Sequence, residues 1–275
     1  MRRKMQMWIG LLCFFFMLPI ITVKLPIWPQ QEATTTPSTK QDTKIVYAAN
    51  TATEKNALTN NKDASFNTLI YFTHSHEAYY PILKSQNQKI TAYHNATNVL
   101  QLGSVIEAHF KQNDLSTDIL EVDTMTEMQK KNIALFKAYD AVRPYVKKQL
   151  EKKEYDLVLD IHRDSANKKA TTTTFDGEKY ARIAVVVGGE NKQSKWNEAY
   201  ANQLSAHLNQ LVPNISRGVM KKEGSGVNGV YNQDLSKKLL VVELGGVDNT
   251  EDELNRTIAI LARAISEAFS NQTSS

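Results

Sequence analysis

In L-V-L-D-I-H-R-D-S, residues 157–165, a mainly apolar run passes directly into imidazole and charged side chains. Runs of this kind are typical of strands buried inside a parallel sheet. Two other stretches have the same design: L-I-Y-F-T (69–73) precedes H-S-H-E (74–77), and L-L-V-V (239–242) precedes E-L-G-G (243–246). We therefore predict three buried strands that each end in polar side chains.

From Phe66 onward, short β-branched apolar stretches alternate with longer stretches whose pattern is typical of helices. The predicted strands are 67–73, 117–122, 156–161, 181–187 and 238–242. The predicted helices are 96–112, 128–152, 194–211 and 250–270, the last capped by Asn249 or Thr250. This alternation predicts an α/β fold with a largely parallel sheet flanked by helices.

The polar strand ends predict a metal site. Ligands of an open α/β sheet bind at the carboxyl ends of its strands, so the groups around His74, His162 and Glu243 converge if their strands are parallel. Two imidazoles and one carboxylate form a common open zinc site, beside which a further carboxylate can act as a general base. The single cysteine, Cys13, lies in an N-terminal apolar stretch, so the site must use His, Asp or Glu.

Asp160 lies two residues before His162, so both side chains point to the same face of the predicted strand. It is either a partner that orients the histidine or a buried carboxylate with hydrogen bonds of its own. The remaining histidines, His94, His109 and His207, lie in or just before predicted helices, and we interpret them as structural or solvated.

The N-terminal segment is predicted to be a membrane anchor. Residues 5–23 are almost continuously apolar and follow the basic residues 2–4, which predicts a single-pass anchor over residues 1–29 with the rest of the chain outside the cytoplasmic membrane. A cleaved signal peptide is the alternative. Residues 30–65 are polar and aperiodic, which predicts a flexible linker to a catalytic domain at 66–272.

The charge balance argues against nucleic-acid binding. The net charge of +4 comes from 33 Lys and Arg against 29 Asp and Glu, and three of the cations precede the apolar stretch. The rest of the chain is therefore close to neutral and offers no strongly basic surface.

Four segments together resemble the stage II sporulation protein P family of bacterial peptidoglycan hydrolases, across about 66–270. They are T-H-S-H-E-A-Y-Y-P (73–81), L-V-L-D-I-H-R-D-S (157–165), G-V-Y-N-Q-D-L-S (229–236) and L-L-V-V-E-L-G-G-V-D-N-T-E-D-E (239–253). The resemblance implies the fold of type 3 N-acetylmuramoyl-L-alanine amidases. It also implies zinc-dependent cleavage of the amide between the muramic acid lactyl group and the first alanine of the stem peptide. The family is further associated with endopeptidase cleavage of cross-linked stems. Its members act on septal wall during engulfment, with the stage II sporulation proteins D and M.

Carried over residue by residue, the resemblance implies His74, Glu77 and His162 as ligands of one zinc ion and Glu243 as the catalytic glutamate. His76 is an alternative ligand, because residues 74 and 76 would point the same way on an extended strand and displace Glu77.

Recognition of the substrate is assigned to the neighbouring loops. Arg163 either pairs with a substrate carboxylate through its planar fork or braces Asp164. The glycine-containing segment 222–236 is predicted to contact peptide or sugar, or else to be a surface crossover whose polar residues stabilise turns. Its candidate contacts are Tyr231, Asn232, Gln233 and Asp234.

Two rival functions stay open at this point. An H-x-H at the end of a first strand also occurs in two-metal hydrolases, although this chain lacks further histidines at strand ends. The second rival is a wall-binding protein that is not catalytic, or whose activity depends on a partner.

Overall fold

The computed structural model describes residues 66–270, which form a mixed α/β domain. The strands are β1 Phe66–Tyr71, β2 Leu115–Ile119, β3 Leu157–Asp164, β4 Thr172–Phe175, β5 Glu178–Ala181, β6 Ile183–Gly188, β7 Ser216–Lys222 and β8 Leu239–Gly246. The helices are α1 Tyr80–Ser85, α2 Leu102–Gln112, α3 Thr124–Lys130, α4 Ala138–Lys152, α5 Lys168–Thr171, α6 Ser194–Leu211 and α7 Glu251–Ile265.

The predicted anchor (1–29) and linker (30–65) lie outside the described residues, as do the last two residues of the predicted domain. Within 66–270, no helix combines the length and the apolar content needed to cross a lipid bilayer.

The main sheet has the strand order β2-β1-β3-β8-β6-β7. The first four strands are mutually parallel, whereas β6 runs antiparallel to β8 and parallel to β7. Strands β4 and β5 form a separate antiparallel hairpin. The predicted fold class, α/β with a largely parallel sheet flanked by helices, is confirmed.

Side chains of the central strands are buried on both faces of the sheet. On one face Ile70 belongs to the same apolar cluster as Leu261 of α7, while on the other Leu69 packs with Val142 of α4. Burial on both faces explains why the strand sequences are continuous apolar runs rather than alternating ones.

The predicted helix 128–152 is wrong, because two helices occupy this region. Helix α3 ends at Lys130, and Asn132 then adopts a left-handed conformation with φ of 50°, which breaks the helical path. A short 3-10 turn, Leu135–Lys137, leads into α4. Leu135 and Phe136 of this turn line the cleft described below.

Helix α7 begins with a reciprocal cap close to the end of β8. The Glu253 backbone N–H donates to Thr250 Oγ1, and the Thr250 N–H donates to Glu253 Oε2. Asn249 joins this cap to the strand end, because its side chain donates to Glu253 Oε2 and accepts from the Gly246 N–H. The cap thus stabilises both the helix and the chain just after Glu243.

We expect Thr250→Ala to lower the free energy of unfolding by about 1 kcal/mol, because it leaves a helix N–H without its acceptor. A urea titration followed by circular dichroism measures this loss. Thr250→Ser keeps the hydroxyl and serves as the control; an equal loss in both variants would contradict the capping role.

Candidate metal centre and cleft

The ends of β1, β3 and β8 meet at one edge of the sheet. Tyr71 pairs with Asp160 in the β1–β3 register, and His162 pairs with Glu243 in the β3–β8 register. The chain after β1 folds into a turn in which the Glu77 N–H donates to the His74 carbonyl oxygen at 2.9 Å. The parallel register therefore gathers all three polar strand ends.

His74, Glu77 and His162 form a compact cluster whose potential ligand atoms all lie within 4.8 Å of one another. His74 Nδ1 is 3.3 Å from Glu77 Oε1, and His162 Nδ1 is 3.7 Å from Glu77 Oε2. The two imidazole rings are 5.0 Å apart at 85°. Residues 66–270 contain no second cluster of this type. Two ring nitrogens and one carboxylate oxygen are a donor set that suits zinc.

Asp160 is completely buried and bonded on both oxygens. Its Oδ1 accepts the Thr73 backbone N–H and its Oδ2 accepts the Thr73 hydroxyl. The same Oδ2 lies 3.1 Å from His162 Nε2, on the side of the ring away from Glu77. This contact assigns the proton to Nε2 and leaves Nδ1 free to bind a metal ion.

Burial and hydrogen bonding set the charges of the cluster. Burial opposes the ionised form of Glu77, but hydrogen bonds from His162 and His74 prevail and lower its pKa to about 2. Burial also opposes the charged form of His162, yet the carboxylates of Asp160 and Glu77 raise its pKa well above the usual value. The carboxylates of Asp160 and Glu77 thus create a negative potential around His162, which favours a positive charge there.

Glu243 differs from the other acidic groups at this edge. Its Oε2 is buried and has no hydrogen-bond partner among the described residues. Burial raises the pKa of Glu243 to about 7, and the neighbouring charge of Glu77 acts in the same direction. A carboxylate with this pKa beside a potential metal site can take up and return a proton near neutral pH.

The alternative ligand His76 does not join the cluster. Residues 74–77 form a turn rather than an extended strand, so the side chains of residues 74 and 76 diverge. The His76 ring is buried, and its Nε2 lies 2.9 Å from Asp123 Oδ2. Ser75 donates to the other oxygen of Asp123, which caps α3. His76 thus fastens the turn to α3.

The cluster lies in a cleft of about 800 Å³ with an apolar rim. Tyr93, Leu135, Phe136 and Val227 line it, and each is more exposed than a large apolar side chain usually is, Phe136 to 78%. Tyr139 packs against the rings of His74, His162 and Tyr231 inside the cleft. Sequence reasoning missed this rim; the apolar run I-A-L-F at 133–136 was the available signal.

Of the four predicted contacts in segment 222–236, the structure brings only Tyr231 to the cleft. Gln233 is fully buried, and its amide bonds the backbone of Gly188 and Val186. Asp234 forms a two-pronged ion pair with Arg143. Gln233 and Asp234 therefore bond other parts of the domain, and their predicted role in substrate binding is corrected.

Asn232 needs the same correction. Its side chain donates to the Tyr139 carbonyl oxygen at 2.9 Å and accepts from Arg143 Nη1 at 2.9 Å, and the residue is 4% exposed. Asn232 and Tyr231 both have positive φ values, so this sharp bend turns Tyr231 toward the cleft and Asn232 away from it.

Arg163 and Asp164 both line the cleft but do not pair through their side chains. Asp164 Oδ2 pairs with Arg217, and its Oδ1 accepts the Ala166 N–H. Within residues 66–270, the guanidinium of Arg163 donates to two backbone carbonyl oxygens, those of Asp164 and Ala92. The predicted bracing of Asp164 by Arg163 is therefore limited to one backbone contact.

Two similar solved structures have low identities to this chain and TM-scores below 0.5. The N-acetylmuramoyl-L-alanine amidase of Clostridium difficile 630 has 12% identity and a TM-score of 0.45, over 78% of this chain and 99% of that one. The CwlD amidase of Clostridioides difficile, solved in complex with the GerS lipoprotein, has 13% identity and a TM-score of 0.46, over 75% of this chain and 98% of that one.

Comparison with sequences is more specific. The stage II sporulation protein P of Bacillus subtilis strain 168 is 37% identical over 201 residues, which cover 73% of this chain. The chain spans about half the length of that relative. The family profile for stage II sporulation protein P (SpoIIP) matches residues 27–266. With most of its length matched by this profile, the chain belongs to the stage II sporulation protein P family.

Proposed function

We propose that this protein is a zinc-dependent peptidoglycan hydrolase that cleaves the amide between N-acetylmuramic acid and the first alanine of the stem peptide. One observation carries the proposal: Glu243, whose Oε2 has no hydrogen-bond partner among the described residues, lines the same cleft as the cluster of His74, Glu77 and His162. An amide hydrolase needs an acid–base group next to an electrophilic centre, and these residues provide both.

His74, Glu77 and His162 are the proposed ligands of one zinc ion, and they fit it in donor type and number. When bound, zinc supplies Lewis-acid chemistry, making water more acidic and polarising the amide carbonyl. Asp160 holds His162 in the tautomer that presents Nδ1. One cluster among the described residues favours this assignment over a two-metal hydrolase.

Glu243 is the proposed general base and acid. Its carboxylate accepts a proton from the attacking water and delivers it to the leaving nitrogen, so the alanine departs as an amine. Burial raises the pKa of this carboxylate to about 7, which suits both the uptake and the return of a proton near neutral pH.

The cleft suits a substrate that is part sugar and part peptide. Phe136 and Tyr93 expose aromatic rings on the rim, and such rings can pack against the C–H face of a sugar or against aliphatic side chains. Tyr231 adds a phenol to the wall.

Family membership supports a role in remodelling the septal wall during engulfment in sporulation. We propose that the N-terminal segment anchors the protein in the cell membrane with its catalytic domain outside, and that the stage II sporulation proteins D and M are partners. Endopeptidase cleavage of cross-linked stems is a second activity to be distinguished from the amidase.

The function is tested on isolated peptidoglycan, with the released products identified by mass spectrometry. We expect stem peptides with a free alanine amino terminus, and we expect a zinc chelator to abolish their release, since the site depends on the metal. If the released fragments are cut only at the cross-links, the assigned activity changes from amidase to endopeptidase. A zinc-loaded protein that binds the wall and releases nothing, even with its partners present, would contradict a catalytic role.

Two substitutions separate metal binding from proton transfer. We expect His162→Ala to lose zinc and activity together, whereas Glu243→Gln keeps about one zinc per chain and loses about 100-fold or more in kcat. Metal content is measured by mass spectrometry of the protein after dialysis. Two zinc ions in the unmodified chain, or normal turnover by Glu243→Gln, would refute the assignment.

We expect Asp160→Asn to weaken zinc binding by about 10- to 100-fold, because it removes the carboxylate that orients His162. Competition with a chromogenic chelator measures the affinity. Asp156→Asn, a partly exposed residue just before β3 that bonds Asn67 and Lys238 rather than His162, is the matched control, and an equal weakening there would point to a general loss of stability.

A further inference from the structure

Arg163 carries a buried positive charge on the wall of the cleft. The residue is 4% exposed, and it lines the same cleft as His74 and Glu243. Its Nη2 donates to the Ala92 carbonyl oxygen at 2.8 Å and its Nη1 to the Asp164 carbonyl oxygen at 3.3 Å. These two contacts fix the plane of the guanidinium group without neutralising it.

No carboxylate side chain among residues 66–270 forms an ion pair with Arg163. The adjacent Asp164 is paired with Arg217 instead. Glu77 contacts this residue only through the backbone, where its Oε2 accepts the Arg163 N–H at 2.8 Å. In addition, Nε of Arg163 is buried and has no hydrogen-bond partner in this part of the chain.

Burial of an unpaired guanidinium costs free energy, so proteins normally supply such a group with a carboxylate or keep it for a ligand. Arginine has five N–H donors in a rigid fork that matches the two oxygens of a carboxylate. Near Arg163, the Asp164 side chain pairs with Arg217, Glu77 lies against the two histidines, and Glu243 forms no ion pair with it, while Arg163 itself lines the cleft.

We infer that Arg163 is a specificity-determining residue that binds a free carboxylate of the stem peptide close to the scissile amide. The inference rests on the proposed function, and it makes the protein selective for anionic stems. A stem in which this carboxylate is converted to a carboxamide loses one charged partner and leaves the arginine unpaired again.

The test compares two muropeptides that differ only in the first carboxylate of the stem, which is free in one and a carboxamide in the other. Binding to the full-length, zinc-loaded Glu243→Gln protein in mild detergent is measured by calorimetry, and hydrolysis is measured with the unmodified protein. We expect the carboxamide to bind about 10-fold or more weakly, as for the loss of a charged hydrogen bond.

Adding Arg163→Gln is expected to reduce this discrimination to about twofold or less, with affinity lost for the carboxylate form only. Arg163→Lys keeps the charge without the fork and should retain part of the discrimination. Arg256→Gln, which removes the same charge from the surface of α7, is the control and should leave the discrimination between the two muropeptides unchanged.

Equal binding of the two muropeptides to the protein with Arg163 in place, or no binding of either, overturns the inference. That comparison needs no substitution at Arg163, so it remains decisive if Arg163→Gln does not fold. Hydrolysis of both muropeptides at equal rates would support the amidase activity and contradict carboxylate binding by Arg163. Tighter binding of the carboxylate form without hydrolysis of either muropeptide would support carboxylate binding by Arg163 and contradict the amidase activity.

Discussion

Hydrogen bonding in parallel register between β1, β3 and β8 is the constraint on which the site depends. It pairs His162 with Glu243 and brings the turn after β1 to the same edge. Because side chains alternate along a strand, a slip of one residue would send His162 to the opposite face of the sheet. The buried apolar clusters on both faces resist such a slip, so the core and the site are held by the same interactions.

Much of the fold could be predicted from periodicity, and the gaps have physical causes. Helix α6 has the predicted bounds, 194–211, because its apolar positions recur regularly between clear ends. Strand β7 was missed because it is an edge strand with few buried residues and a polar sequence. The β4–β5 hairpin was also missed, although its Asp176-Gly177 turn, with both φ values positive, is a strong local signal. The antiparallel direction of β6 depends on the path of its connections, which local patterns do not encode.

The sequence allowed the residues of the candidate site to be predicted, but it did not allow the orientation of their neighbours' side chains to be predicted. The structure brings His74, Glu77 and His162 together, as expected from parallel strand ends and family motifs. It separates His76 from them, because alternation applies only to extended backbone and this segment is a turn. It also turns Gln233 into the core, where the backbone after the bend at Tyr231 and Asn232 directs it. Such turns depend on individual dihedral angles, which composition does not reveal.

Strand β1 begins at Phe66, at the edge of the sheet opposite the cleft, and its six residues cover about 20 Å. The polar side chains of His74 and Glu77 follow the opposite end of this strand. The first described residue and the candidate site are thus kept at a fixed separation by one buried strand, because an extended backbone paired on both sides cannot shorten.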